Sequence, residues 1–279
     1  MLPLRDENPT SRTAVVTVVL ILVNVAVFLF VQPRADTQEG TGYVYEYAAI
    51  PCELAEGRPL TVEEIAELNG GVEASCQEAP RSPTVFPDKQ VYLGALISMF
   101  LHGGSLHLAG NMLFLWIFGN NVEDHLGRLR YLLFYLAGGV VATAAYVLFR
   151  IDSTVPLIGA SGAVAAVMGA YLVWFPGARV LTLVLVVPLR IRAFWLLAVW
   201  FVSQFLMISV TDVAWMAHVG GFVFGVVVGL VIRESAGIRR QMWTPEYQSP
   251  TGGMWDSRHG GRHEWYIPPY EGPIDHPPR

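Results

Sequence analysis

An uncharged apolar stretch of about 18 residues is long enough to cross a hydrocarbon core of about 30 Å as a helix. This 279-residue sequence holds six candidates, at residues 14–31, 105–121, 131–149, 157–174, 193–209 and 213–232. Lipid offers no partners for backbone N–H and C=O groups, so each span must satisfy its own. The expected architecture is therefore an all-α polytopic membrane protein, a bundle of six transmembrane helices with a long outer loop after the first. Only 15% of the residues are charged, against about 25% in ordinary soluble domains. With 18 Lys and Arg against 23 Asp and Glu, there is no global basic field to recruit nucleic acid.

The first stretch follows Arg5 and Arg12 and is interrupted only by Asn24. It is longer than a signal-peptide core and no A-x-A-like cleavage site follows, so it reads as an uncleaved anchor. The second carries His107, Asn111, Asn120 and Asn121, which puts it low in hydropathy among the six. Between the fourth and fifth, RVLTLVLVVPLR runs from Arg179 to Arg190 and is too short to cross again. It reads as a re-entrant or interfacial segment.

Lys and Arg in short loops tend to stay on the cytoplasmic side. With both termini cytoplasmic, that side collects Arg5, Arg12, Arg128, Arg130, Arg179, Arg190, Arg192, Arg233, Arg239 and Arg240, whereas residues 32–91 outside hold 11 acids and 4 bases. The chain then divides into a cytoplasmic N-terminus (1–13), a first transmembrane helix (14–31), an outer loop (32–104), a core of five further helices (105–232) and a cytoplasmic tail (233–279). The tail scatters Pro, Gly, Trp and Tyr without period and is expected to be disordered. Its Arg239 and Arg240 are placed to meet anionic lipid. Its Pro268-Pro269-Tyr270 lacks the spacing of a standard Pro-rich ligand, so no partner is assigned to it.

The outer loop contains the only two cysteines, Cys52 and Cys76. An extracytoplasmic location permits a disulfide between them, which would contribute about 3 kcal/mol; two free thiols are the alternative, and no metal is invoked. The stretch LTVEEIAEL, with Thr61 at its start, has the spacing of a short amphipathic helix that either lies on the membrane surface or packs on its own loop.

Polar side chains within spans are costly in lipid and turn toward protein or water. Ser161 lies near the outer start of the fourth span, within Gly159-Ala160-Ser161-Gly162. His218 lies about five residues inside the outer start of the sixth, roughly 8 Å deep at a rise of about 1.5 Å per residue. His102, His107 and Asn111 sit at the outer start of the second. The arginines alone set this topology, yet all five residues gather in one half of the bilayer. A hydroxyl, an imidazole and hydrogen-bond donors at one level are what acyl transfer needs. Gly221, Gly225 and Gly229 share a helix face with His218, while Gly162, Ala165, Ala166 and Gly169 line the fourth span below Ser161. Two such smooth faces would let the helices approach until Ser161 meets His218. Singly these features are ordinary: a lone intramembrane serine usually bonds its own backbone, as expected of Ser98 and Ser203, and a lone buried histidine is usually a structural donor.

In combination, Gly159-Ala160-Ser161-Gly162, Ala217-His218-Val219-Gly220-Gly221 continuing to Gly225, and His102-Gly-Gly-Ser-Leu-His107-Leu-Ala-Gly-Asn111 resemble the rhomboid intramembrane serine proteases of bacterial type. Glu123-Asp-His-Leu-Gly127 resembles that family's helix-end pattern, and the likeness runs over about residues 100–229. The resemblance implies a Ser161–His218 dyad with no acidic third member. It also implies an oxyanion site made of the His107 and Asn111 side chains and the Ser161 N–H next to Gly159, with His102 nearby. It further implies that no cofactor is needed, that the substrates are single-span membrane proteins cut near their outer end, and that the location is a bacterial plasma membrane. Asp212, the nearest acid to His218, lies six residues earlier and is not placed to orient the imidazole. One rival is a metalloprotease or metal transporter using His102, His107 and His218. It lacks an HExxH, and the five-residue step between the first two rotates them off a common face. The other rival is a catalytically silent membrane scaffold, against which the presence of both Ser161 and His218 argues.

Overall fold

The computed structural model describes residues 1–34, 36–69, 76, 82–206 and 214–235, except the side chains of 66–69 and 233–235. The tail from residue 236 onward, and Asp212, lie outside the described residues. Helix α1 (Val15–Ala26) continues as a π-helical turn, Val27–Val31. Three short helices follow, α2 (Gln38–Tyr47), α3 (Pro51–Glu56) and α4 (Val62–Asn69), then α5 (Val91–Ile97) with a 3-10 turn, Ser98–Phe100. The long helices are α6 (Ser105–Leu126), α7 (Arg128–Phe149), α8 (Ser161–Trp174), α9 (Ala193–Leu206) and α10 (Trp215–Ser235).

Helices occupy all six apolar stretches, but they are unequal as spans. Helix α7 and residues 215–232 of α10 are long and apolar enough to cross a membrane alone. Helix α6 reaches that standard only together with α5 and its 3-10 turn, across a bend of 80°. The others are shorter. For α8 the reason is visible: it starts late, after Gly159 in a left-handed conformation at φ 119°, and every residue from Gly162 to Tyr171 is buried. A helix that is apolar all round belongs inside a bundle, and α8 packs against α6, α7 and α10.

The expectation of an all-α chain needs correction. RVLTLVLVVPLR, with the two residues that follow, forms an antiparallel hairpin of β2 (Arg179–Val184) and β3 (Val187–Arg192), joined by the two-residue turn Leu185-Val186 with Leu185 at φ 56°. The N-terminal segment adds β1 (Leu2–Asp6) to the edge of β2, closing a three-stranded sheet. Too short to span and rich in branched residues, this stretch satisfies its backbone by pairing strands instead. The Asp6 carboxylate accepts from the Tyr171 hydroxyl at 2.8 Å and from Asn121 Nδ2, tying the sheet to α8 and α6. Burial raises the Asp6 carboxyl to about 6, opposed by the Asn8 N–H and the Tyr171 hydroxyl.

Glu123 has a specific structural task. Its carboxylate accepts the backbone N–H groups of Val16 and Thr17 at 2.9 and 2.8 Å and the Thr17 hydroxyl at 2.9 Å. It thus satisfies orphan donors at the start of α1, where the helix dipole also favours a negative charge. Next to it, Asp124 accepts from the N–H and hydroxyl of Ser11. Asn24, the polar interruption in α1, is fully buried and donates to the Leu20 carbonyl one turn earlier.

The described residues between 36 and 90 form a lobe with its own small core of Tyr45, Ile50, Cys52 and Leu60, against which Ile65, Cys76 and Phe86 pack. Helix α4 belongs to this lobe rather than lying free: Glu64 is buried, paired with Arg58 at 2.8 Å, and accepts from the Thr61 N–H and hydroxyl. Glu53 and Lys89 form a buried ion pair at 2.5 Å. Burial pushes the Glu53 carboxyl up and the Lys89 amine down, and their mutual attraction opposes both.

The lobe is cross-linked by a disulfide between Cys52 and Cys76, Cα atoms 5.5 Å apart. Glu64 lies close to both sulfurs, but with the thiols consumed in that bond the trio offers a cation only a carboxylate. Both cysteines also donate backbone N–H groups to the loop before α8: Cys52 to the Ser153 carbonyl at 3.0 Å and Cys76 to that of Asp152 at 3.1 Å. Opening a 24-residue separation by Cys52→Ser with Cys76→Ser should remove about 3 kcal/mol from the lobe. Thermal unfolding should shift to lower temperature, and dithiothreitol should reproduce the shift in wild type while leaving the double variant unmoved.

Candidate active site

The site is built by a close helix contact. Helices α8 and α10 meet through glycine: a Cβ on Gly221 would strike the Gly162 carbonyl oxygen, one on Gly169 the Phe222 carbonyl, and one on Gly225 the Ala166 carbonyl. With no side chains between them, the backbones approach as small-residue faces permit. This approach carries Ser161, the first residue of α8, to His218, the fourth residue of α10. His218 Nε2 stands 2.8 Å from Ser161 Oγ.

The other ring nitrogen is also engaged. His218 Nδ1 lies 2.7 Å from Oε1 of Gln204, a buried side chain of α9. Trp200, one turn before Gln204, sets its ring 6.1 Å from the imidazole and also packs on Phe222. Sequence reasoning missed Gln204. The available signal was an amide in an otherwise apolar helix, the same criterion that singled out Ser161 and His218. Ser203 and Ser98, read as backbone-bonding serines, donate to the carbonyls of Trp200 at 2.6 Å and Ala95 at 3.4 Å.

Across from the pair, α6 presents His107 and Asn111 one turn apart. Both face Gly159: a Cβ built there would lie 2.7 Å from His107 Cε1 and 3.7 Å from Asn111 Nδ2. The left-handed φ of Gly159 and this lack of room explain why a glycine stands two residues before the serine. Its N–H donates to the Ser98 carbonyl at 2.9 Å, fixing the loop against α5. Asn111 is buried, and its Nδ2 has no acceptor among the described residues.

His102 is fully buried, edge-on to His107 with ring centroids 5.2 Å apart. Gln32, at the end of the first apolar stretch, holds its backbone by a two-way bond: Nε2 donates to the His102 carbonyl at 2.8 Å and Oε1 accepts its N–H at 3.0 Å. His102 therefore packs against the ring of His107 with its backbone held by Gln32. As the first helical residue, Ser161 has a backbone N–H with no intrahelical acceptor, at the positive end of the α8 dipole.

A hydroxyl, an imidazole and polar donors thus gather near helix starts inside an apolar bundle. The rhomboid-domain family model matches residues 89–235, more than half of the chain, and the chain belongs to the rhomboid family. It is 31% identical over 148 residues to a yeast protein, "Rhomboid protein 1, mitochondrial" of Saccharomyces cerevisiae, covering 52% of this chain and 43% of that one. It is 34% identical over 89 residues to "Presenilin-associated rhomboid-like protein A, mitochondrial" of Danio rerio, covering 31% of this chain and 23% of the relative. It is 44% identical over 77 residues to "Rhomboid protease GluP" of Bacillus subtilis, covering 28% of this chain and 15% of the relative. The chain thus spans less than half the length of these curated relatives.

Proposed function

We propose that this chain is an intramembrane serine endopeptidase that cuts single-span membrane proteins near their outer end with a Ser161–His218 pair. The observation that carries the reading is the 2.8 Å contact between Ser161 Oγ and His218 Nε2, with the buried Asn111 Nδ2 close to Gly159, two residues before the serine. Nucleophile and base are then in contact, with a donor from α6 set against the loop that leads into Ser161. The Bacillus relative, which carries the word protease in its name, supports the same reading.

In this mechanism His218 Nε2 takes the proton of Ser161 as Oγ attacks the scissile carbonyl, and returns it to the departing amine. The acyl group on Ser161 is then released by water through the same base in the reverse sense. Charge developing on the carbonyl oxygen is met by the Ser161 N–H, Asn111 Nδ2 and His107, donors fixed before the reaction begins. A substrate helix has its amides internally bonded, so a segment weakened by Gly or Pro should unwind into the pocket most readily.

The topology belongs to the same proposal: six helices cross the bilayer, both termini face the cytoplasm of a bacterium, and the site opens toward the outer face. The arginines at the far end of the bundle from Ser161 support this orientation. Anionic lipid would be the partner of those arginines.

The test is to incubate the detergent-solubilised chain with a fluorophosphonate probe and, separately, with a single-span reporter bearing a Gly-rich outer segment. Labelling and a discrete cleavage product are expected. A folded chain that binds the reporter but neither labels nor cuts would mark a scaffold, and cleavage abolished by a chelator would mark a metalloenzyme. Within the active chain, Asn111→Ala should lower kcat by about 10²-fold to 10³-fold with little change in KM, the signature of a donor used in the transition state.

A further inference from the structure

We propose that Gln204 is a positioning residue that locks His218 in the one tautomer able to accept the Ser161 proton. This rests on the hydrolytic reading of the site. Gln204 Nε2 lies 3.1 Å from the Trp200 carbonyl oxygen, and a carbonyl only accepts. The NH₂ group must therefore face Trp200, which turns Oε1 toward His218 Nδ1 at 2.7 Å.

An amide oxygen also only accepts, so Nδ1 must hold the proton of the neutral ring. Nε2 is then bare, and at 2.8 Å from Ser161 Oγ it can act only as acceptor. Three hydrogen bonds consequently run in one direction: Ser161 O–H to His218 Nε2, His218 Nδ1–H to Gln204 Oε1, and Gln204 Nε2–H to the Trp200 carbonyl. The far end is fixed by backbone, which no rotamer change can reverse. Ser203 secures it further, donating to the same carbonyl at 2.6 Å.

Gln204 is buried, so water does not compete for its amide. When Ser161 attacks and the ring becomes imidazolium, Nδ1–H remains bonded to an oriented dipole. A carboxylate in that place would stabilise the cation more strongly, but it would also have to be held as a charge inside an apolar bundle whenever the ring is neutral. A glutamine supplies orientation without that cost, and among the described residues no acid meets the imidazole.

The test compares wild type, Gln204→Met and Gln204→Glu as solubilised full-length chains. Reporter cleavage is measured together with the side-chain nitrogen resonances of 15N-labelled histidine. Wild type should show His218 as the Nδ1–H tautomer. Gln204→Met, similar in volume but without an acceptor, should mix the tautomers and lower kcat by about 10-fold to 100-fold with KM within about twofold. Gln204→Glu keeps an acceptor opposite Nδ1 and should recover the Nδ1–H tautomer and most of the lost kcat. If Gln204→Met does not fold, the wild-type tautomer and the Gln204→Glu rate still decide. An Nε2–H tautomer in wild type, or Gln204→Met turning over at the wild-type rate, overturns the role of Gln204 alone. A wild-type chain without labelling or cleavage overturns the hydrolytic reading and this role with it.

Discussion

Ser161→Ala is expected to abolish fluorophosphonate labelling and to lower reporter cleavage by about 10⁴-fold to 10⁶-fold, the loss seen when a serine hydrolase loses its nucleophile. The folded bundle should be unchanged. The Ser161 hydroxyl bonds His218, whereas the wall that α8 presents to its neighbours is the buried run from Gly162 to Tyr171, which the substitution does not touch. Thermal unfolding of the variant should therefore coincide with wild type. His218→Ala should fall by a similar order, and the double variant no further, because two residues that act as one unit are not additive. Additive losses, or residual cleavage in Ser161→Ala that a chelator removes, would show that the hydroxyl is not the nucleophile.

Much of this arrangement was legible in the sequence because bilayer solvation imposes a one-dimensional rule. Charge-free stretches located the long helices, and of the polar residues that break the rule, His107, Asn111, Ser161 and His218 gather around one loop while Asn121 instead ties α6 to Asp6. The alternation of small residues on α8 and α10 foretold their approach, since a glycine face has no other use in an apolar helix. What remained hidden depends on partners distant in sequence. The strand Leu2–Asp6 finds its place only through Arg179–Val184, and an N-terminal hexapeptide carries no periodic signal by itself. Glu123 looked like a helix-end marker, yet its carboxylate serves residues 106 and 107 positions away in the chain. Gln204 and Asn24 are alike as single amides in apolar helices. Both donate to the carbonyl one turn earlier, and only the packing of α9 on α10 reveals that Gln204 also meets His218. Likewise the late start of α8 is set by the lobe and α5 gripping the loop before it, through Ala49, Ser98 and the two cysteines.

The second large effect is expected far from the reacting atoms, at Gly225. A Cβ there would fall on the Ala166 carbonyl, with that residue's carbonyl carbon at 2.8 Å and its Cα at 3.0 Å. All three are backbone atoms of a buried helix, so no side chain is free to turn aside. Gly225→Ala must therefore push α10 away from α8 or tilt it, at an overpacking cost of about 1–3 kcal/mol or more. Ser161 and His218 sit on the same two helices, five residues before Ala166 and seven before Gly225. A separation of about 1 Å at their level would stretch a 2.8 Å contact beyond useful hydrogen-bonding range, and a displacement of that size costs about 10²-fold in rate. Gly225→Ala should thus lose both melting temperature and turnover, and Gly225→Val more of each. Gly110→Ala is the matched control: nothing lies within 4 Å of a Cβ at that position on α6, and alanine is the better helix former by about 1 kcal/mol. If Gly225→Ala melted and cleaved like wild type while Gly110→Ala did the same, α8 and α10 could not be as close as the pairing of Ser161 with His218 requires.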